Sequence, residues 1–102
     1  VLASVAEGLA RRAGVDPGEA GALYLPLMHG SVANLAFGPA SALTGPIRRG
    51  DAASVQRHLA VLDPADRALY RALGLVALRL ARGAGLADAQ AAAVERALTD
   101  EP

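Results

Sequence analysis

Most of the polar side chains that could recognise a ligand lie in one stretch of the sequence, residues 34–58. They comprise an asparagine, two hydroxyl residues, three arginines, an aspartate and a histidine: Asn34, Ser41, Thr44, Arg48, Arg49, Asp51, Arg57 and His58. Gly45 and Pro46 fix a turn that could expose backbone N–H groups, and paired arginines can hold a carboxylate or a phosphate. One interpretation is therefore a ligand-facing loop. The other is a helix connector, in which glycine and proline serve only the turn.

His58 is the candidate catalytic residue of this stretch. An imidazole titrates near neutral pH, so it can act as a general acid or base. The alternative is a surface or capping histidine, because His58 lies at the edge of the buried face of a predicted helix. Asp51, at the start of that helix, fits an N-cap better than a catalytic acid. His29 has no carboxylate at metal-ligand spacing, and we predict no metal site at either histidine.

The composition of the chain excludes several kinds of chemistry and partner. It has no lysine and no cysteine, and its ten basic residues are all arginine. It therefore cannot form a lysine Schiff base, a GxxxxGK phosphate loop, a disulfide or a cysteine-ligated zinc site. A formal net charge of zero and only three aromatic residues argue against a nucleic-acid partner. No run of about 18 apolar residues and no signal peptide is evident, so we expect no membrane partner and a cytoplasmic location.

The elements that position these residues are predicted to be helices. Apolar residues recur at helical spacing along most of the chain, and no segment alternates as a strand does. Asp16–Pro17 and Asp63–Pro64 each predict a helix start with the aspartate as N-cap, and Pro26 predicts a kink or a restart. Residues 37–51 are predicted to be the one substantial non-helical segment. We expect an all-α fold of five or six helices in a single domain over residues 1–102.

The predicted helix that starts at Asp63–Pro64 is the best candidate for a second buried face. Its predicted inward stripe is Leu69, Leu73, Val76 and Leu80. Leu75 and Leu78 lie outside that stripe, so the helix is apolar round more than half its circumference. In addition, 25 residues are alanine, whose side chains bury little area. We therefore expect an additional apolar interface and a homodimer.

Several motifs resemble those of a known family. In chain order they are ALYLPL at residues 22–27, Asn34, Gly38–Pro39, ALTGPIRRGD at 42–51, His58–Leu59 and LYRALG at 69–74. Their order and spacing resemble a family of two-domain bacterial proteins, in which a Rossmann-like NAD(P)-binding domain precedes a helical domain of unknown function. That helical domain is similar to the C-terminal domains of 6-phosphogluconate dehydrogenase and pyrroline-5-carboxylate reductase relatives. The resemblance covers most of the chain.

The resemblance implies a dimerisation and substrate-facing domain of an NAD(P)-dependent oxidoreductase. NAD(P) would be bound by a Rossmann-like domain upstream of this chain, and the chain alone would bind no cofactor and show no activity. The family-motif residues that would face a small-molecule substrate or the cofactor are Asn34, Thr44, Gly45, Pro46, Arg49 and Asp51. Arg49 would bind an anion and His58 would be the acid or base. The alternative belongs to a different class of protein function. It is a non-catalytic helical module that only holds two chains together.

Overall fold

The computed structural model describes residues 1–100, and in that range the structure is helical with no strand. Its helices are α1 (Leu2–Arg12), α2 (Pro17–Asn34), α3 (Pro39–Ala42), α4 (Pro46–Arg49), α5 (Ala52–Val61), α6 (Pro64–Gly83) and α7 (Asp88–Thr99), with a 3₁₀ turn at Leu35–Phe37. Five of them have ten residues or more, so the prediction of an all-α fold is confirmed. The described residues group into two compact units, Val1–Phe37 and residues 38–100. No helix in this range is long and apolar enough to cross a bilayer.

The first unit consists of α1, α2 and the 3₁₀ turn. Asp16 caps α2, because its carboxylate accepts a hydrogen bond from the Gly18 N–H at 3.0 Å, and the intervening proline occupies the first helical position. The predicted helix start is confirmed. α2 then continues through Pro26 without a restart. The buried side chains in this unit are the small ones of Ala10 and Ala20, so the larger apolar residues of the predicted stripes stay at least partly exposed.

The core of the second unit lies where α5, α6 and α7 meet. Its large side chains with the least exposure are Val55, Leu78, Val94 and Leu98. Asp51 and Asp63 cap α5 and α6, accepting from the N–H groups of Ser54 at 3.0 Å and Asp66 at 2.9 Å. Both predicted aspartate caps are confirmed. They fix where the two helices begin, and therefore which side chains face each other between them.

The inward face of α6 differs from the predicted stripe. Gly74 and Leu78 are buried, whereas Leu73 and Val76 are 48% and 45% exposed. The predicted stripe is therefore wrong for these positions. The physical reason is the close approach of α7, since a Cβ atom on Gly74 would lie 2.7 Å from a methyl carbon of Leu98. α7 packs on the side of α6 that carries Gly74, where the missing side chain leaves room for Leu98.

Residues 37–51, predicted as non-helical, contain the single-turn helices α3 and α4. Each begins with a proline that follows a glycine of positive φ, Gly38 at 94° and Gly45 at 95°. The fixed φ of proline suits the first helical position, so these Gly–Pro pairs start helical turns. The prediction of one continuous non-helical segment is wrong for this reason. Gly50, in the left-handed conformation at φ 73°, ends α4 directly before the cap of α5.

Candidate functional site

A groove opens on the second unit, where α4, the last turn of α5 and the middle of α6 come together. Its volume is about 300 Å³. The residues that line it are Leu43, Thr44, Pro46, Ile47, His58, Tyr70, Leu73, Gly74 and Ala77. Three of them, Thr44, Pro46 and His58, belong to the predicted site. The fold therefore brings the start of α4 next to the candidate catalytic histidine.

His58 and Tyr70 form a hydrogen-bonded pair in the lining of this groove. The Nδ1 atom of His58 lies 2.9 Å from the hydroxyl oxygen of Tyr70. The two rings meet edge to face, with their centroids 5.8 Å apart and their planes at 83°. His58 comes from α5 and Tyr70 from α6, so the turn between the two helices brings them together. Both the hydrogen bond and the ring contact restrict the orientation of the imidazole.

The Tyr70 hydroxyl keeps its proton at neutral pH. Burial raises the pKa of Tyr70 above its ordinary value of 10.0. A protonated phenol can donate to a neutral imidazole, and an imidazole that accepts at Nδ1 carries its own proton at Nε2. The pair can therefore hold a proton on Nε2 of His58, and that proton can pass to a substrate if the Tyr70 hydroxyl gives its own proton to Nδ1 in the same step.

Hydrocarbon side chains make up most of the remaining lining, namely Leu43, Pro46, Ile47, Leu73 and Ala77. Within residues 1–100, the lining includes no aspartate, glutamate, lysine or arginine. Its hydrogen-bonding side chains are the hydroxyls of Thr44 and Tyr70 and the imidazole of His58. The groove is thus an apolar site with a few polar groups, a combination typical of small-molecule sites.

Asp51 acts as a helix cap and is not among the residues that line the groove. Its carboxylate accepts hydrogen bonds from the Ser54 hydroxyl at 2.6 Å and from the Ser54 N–H at 3.0 Å. These bonds, helped by the charges of Arg57 and Arg49, hold the pKa of Asp51 below its ordinary value of 3.8. A carboxylate stabilised in its charged form is a weak base, so the structure supports the cap interpretation. A role of Asp51 toward substrate stays a prediction.

The arginines of the polar stretch 34–58, which include Arg49 of the predicted site, are likewise not among the groove-lining residues. Arg48 donates to the Ala84 carbonyl at 3.3 Å, and Arg57 donates to the Ser54 hydroxyl at 2.7 Å. Arg49 is exposed in the last turn of α4. Any anion held by Arg49 would therefore involve groups outside the groove.

Gly45 and Asn34 complete the predicted set. Gly45 is the N-cap of α4 and lies in the chain between Thr44 and Pro46, which both line the groove. Asn34 is the last residue of α2 and belongs to the first unit. Five of the seven predicted residues therefore lie in one short run of chain around α4, and His58 joins them through the packing of α5.

The α6 wall of the groove was missed by sequence reasoning. Tyr70, Leu73 and Ala77 share one face of α6, because they are three, four and seven positions apart. The same spacing is typical of a core stripe, and of these three residues the stripe predicted from the sequence includes only Leu73. The available signal was a tyrosine twelve residues after the histidine, on the far side of a helix start.

A second cavity on this unit, of about 440 Å³, is lined by two arginines that hold helix ends. Arg67 donates to the carbonyls of Leu59 and Leu62 at 3.1 and 2.8 Å, and Arg71 donates to the Asp100 carbonyl at 3.1 Å. Carbonyls at helix C-termini lack helical partners, so these bonds stabilise the ends of α5 and α7. The smaller groove is the better candidate site because it holds the histidine–tyrosine pair. Within residues 1–100, no three His, Asp or Glu side chains converge as metal ligands would.

A family described as a domain of unknown function, DUF2520, matches residues 1–77. The chain belongs to the DUF2520 family. No curated protein and no solved structure matches it. In chain order the DUF2520 match ends at Ala77, which is also the last groove-lining residue. All of the groove lining therefore falls within the matched residues, whereas α7, which completes the core, falls outside them.

Proposed function

We propose that this DUF2520 chain is the substrate-facing domain of an NAD(P)-dependent oxidoreductase. The observation that carries the proposal is the hydrogen bond between His58 Nδ1 and the Tyr70 hydroxyl, in the lining of an otherwise apolar groove. An oriented histidine beside a space for a small molecule is what proton transfer to a bound substrate requires. The resemblance of the ALTGPIRRGD segment and His58 to two-domain NAD(P)-binding proteins supports this type of reaction.

The residues of this chain would handle the proton of the reaction. Reduction of a carbonyl compound adds a hydride to carbon and a proton to oxygen, and a bound nicotinamide cofactor supplies the hydride. His58 would transfer its Nε2 proton to the substrate oxygen, breaking that N–H bond as the O–H bond forms, while the Tyr70 hydroxyl gives its own proton to Nδ1. The imidazole then stays neutral, and the Tyr70 oxygen, left with the negative charge, takes a proton from water. In the reverse direction His58 would take the alcohol proton at Nε2 as Nδ1 returns its proton to a deprotonated Tyr70 oxygen. Tyr70 thus acts through His58, and Thr44 can donate to the same substrate oxygen.

The cofactor site is proposed to lie on a Rossmann-like domain of the same protein. A dinucleotide fingerprint is a glycine-rich turn between a strand and a helix. Residues 1–100 contain no strand, so they do not fit the pyrophosphate of the cofactor in this way. The groove would face that other domain, and the substrate would be enclosed between the two.

Turnover by the full-length protein tests the proposal. Small ketones, aldehydes and alcohols are supplied with the reduced or oxidised nicotinamide cofactors, and the absorbance of the reduced nicotinamide is followed. His58→Gln is expected to lower kcat by about 100-fold, a typical contribution of general acid–base catalysis. His29→Gln, which changes an exposed histidine of the first unit, is the matched control and is expected to leave kcat unchanged.

Arg49→Ala in the same assay tests the predicted anion-binding role. A raised KM for the cofactor with little change in kcat is expected if Arg49 holds an anionic group outside the groove. The oxidoreductase proposal is wrong if Arg49→Ala and His58→Gln both leave cofactor binding and turnover at wild-type levels.

A second candidate function is to join two copies of the chain. The observation that favours it is a row of apolar side chains on α6, in which Leu73 and Val76 are 48% and 45% exposed and Leu69 and Leu80 are half-buried. Exposed apolar rows of this kind mark interaction sites, and the same row on a second copy would cover it in a two-fold dimer. Light scattering at micromolar concentration is expected to show a dimer that Val76→Glu converts to a monomer. A wild-type protein that is monomeric at this concentration would contradict the proposed dimer.

A further inference from the structure

We infer that the groove takes a compact, uncharged aliphatic carbonyl compound, or the alcohol related to it, and that it rejects carboxylates and phosphates. The inference rests on the proposed function, because it names the substrate class of the same site. Three properties of the groove carry it: its size, the chemistry of its walls, and the lack of a charged group in its lining among residues 1–100.

The size of the groove limits the substrate. At about 300 Å³ it lies at the small end of the range of roughly 300–1,000 Å³ that small-molecule pockets occupy. A compact molecule fits this space. A larger ligand would leave most of its surface outside the groove and in contact with other parts of the protein.

The walls of the groove favour hydrocarbon. Leu43 and Ile47 contribute side chains from the α4 region, and Leu73 and Ala77 contribute side chains from α6. Removing aliphatic surface of the substrate from water against these side chains favours binding. A polyol such as a sugar would instead place most of its hydroxyl groups against hydrocarbon, where they would lack hydrogen-bond partners.

A carboxylate would find no cation in the lining. Arg48 and Arg57 donate to other parts of the chain, and the exposed Arg49 is not among the lining residues. Taking an ionised carboxylate out of water without a partner is strongly unfavourable. The groove therefore differs from the arginine-held anion site that the sequence predicts.

The polar groups of the groove suit one substrate oxygen. The Nε2–H of His58 and the hydroxyl of Thr44 can each present a hydrogen-bond donor, because the Tyr70 proton is engaged with Nδ1. A carbonyl oxygen accepts two hydrogen bonds through its two lone pairs. A single carbonyl or hydroxyl group on an aliphatic skeleton can satisfy this arrangement. This is the chemical class that a proton-transferring histidine acts on in a carbonyl reduction.

Binding to the full-length protein is measured by methyl NMR with two matched probes. One is methyl isobutyl ketone. The other is the α-keto acid in which a carboxylate replaces the methyl group bonded to the carbonyl carbon of that ketone. Ile47 is the only isoleucine of this chain and lines the groove, and Met28, its only methionine, lies in the first unit. The Ile47 signal, assigned by its loss in Ile47→Val, is expected to shift with millimolar ketone while the Met28 signal does not. The keto acid is expected to bind at least about tenfold more weakly than the ketone.

An added cation is expected to change this preference. Leu73→Arg places a guanidinium in the lining at a position that is 48% exposed, and it is expected to tighten keto acid binding by about tenfold. Leu75→Arg lies on the same helix, is 37% exposed and is not among the lining residues, so it is the matched control and is expected to change nothing. Circular dichroism checks that both variants are folded. Thr44→Arg, at an exposed lining position, replaces Leu73→Arg if that variant does not fold.

The outcomes separate this inference from the proposed function. Keto acid binding as tight as ketone binding to the wild type overturns the inference, and so does an Ile47 signal that the ketone does not move. His58-dependent turnover of the keto acid would contradict the substrate class and support the oxidoreductase proposal. Ketone binding at the groove without turnover would contradict the oxidoreductase proposal and support the binding preference inferred here.

Discussion

Truncation of Leu78 is expected to destabilise the second unit far more than truncation of Leu73. Leu78 is 2% exposed and packs in the core where α6 meets α7, whereas Leu73 is 48% exposed. Leu78→Ala removes three buried carbons at ~0.8 kcal/mol each, or about 2.4 kcal/mol, and the cavity left between the helices raises the loss to about 3–4 kcal/mol. Leu73→Ala removes half-exposed carbons and leaves no enclosed cavity, so it is expected to cost about 1 kcal/mol.

Urea unfolding of the two variants measures this difference. The chain has one tyrosine in each unit, Tyr24 and Tyr70, so tyrosine fluorescence in a Tyr24→Phe background reports on the second unit alone. The shift of the midpoint, multiplied by the m value, gives the change in the free energy of unfolding. A loss for Leu73→Ala equal to or larger than that for Leu78→Ala refutes the inward face described above and restores the stripe predicted from the sequence.

Three further predictions concern turns, a cap and the candidate site. Gly50→Ala is expected to lower the melting temperature more than Gly85→Ala. Both glycines have positive φ, but of the two only Gly50 is placed so that an added Cβ atom would lie 2.7 Å from another side chain. Equal losses of melting temperature would contradict the packing described here. Asp51→Asn is expected to lower the free energy of unfolding at neutral pH, because folding lowers the pKa of Asp51. The difference in stability from wild type should disappear as pH falls below 3.8 and through the folded pKa, and urea titrations at several pH values check it. Tyr70→Phe keeps the ring but removes the hydroxyl that bonds Nδ1 and supplies it with a proton, so it is expected to lower kcat at least about fivefold. The ratio of the two neutral imidazole tautomers, read from nitrogen NMR, is expected to move away from the Nε2–H form. An unchanged tautomer ratio would show that the hydroxyl does not position the ring.

The helix starts could be predicted from the sequence because they depend on local chemistry. Asp16, Asp51 and Asp63 each accept a hydrogen bond from an N–H two or three residues onward, and that geometry needs no distant part of the chain. The buried face of α6 could not be predicted in the same way. Apolar residues surround more than half of that helix, and the close approach of α7 at Gly74, a long-range contact, selects the face.

Half of the candidate site follows from the sequence and half from packing. Thr44, Pro46 and His58 belong to motifs that carry a family resemblance, and they line the groove together. Tyr70 becomes part of the site only when α6 folds back on α5, so its role depends on a contact across the turn between the two helices and not on the motif around His58. The anion site expected at Arg49 depended on side chains that are close in sequence, and the fold leaves that arginine outside the lining of the groove.

The most direct test of the central claim is the kcat/KM of the full-length protein for methyl isobutyl ketone, compared between His58→Gln and His29→Gln. If His58 is the proton donor at the groove, kcat/KM falls by about 100-fold in His58→Gln and keeps its wild-type value in His29→Gln. A wild-type kcat/KM in His58→Gln, with the ketone still bound at Ile47, would contradict the account.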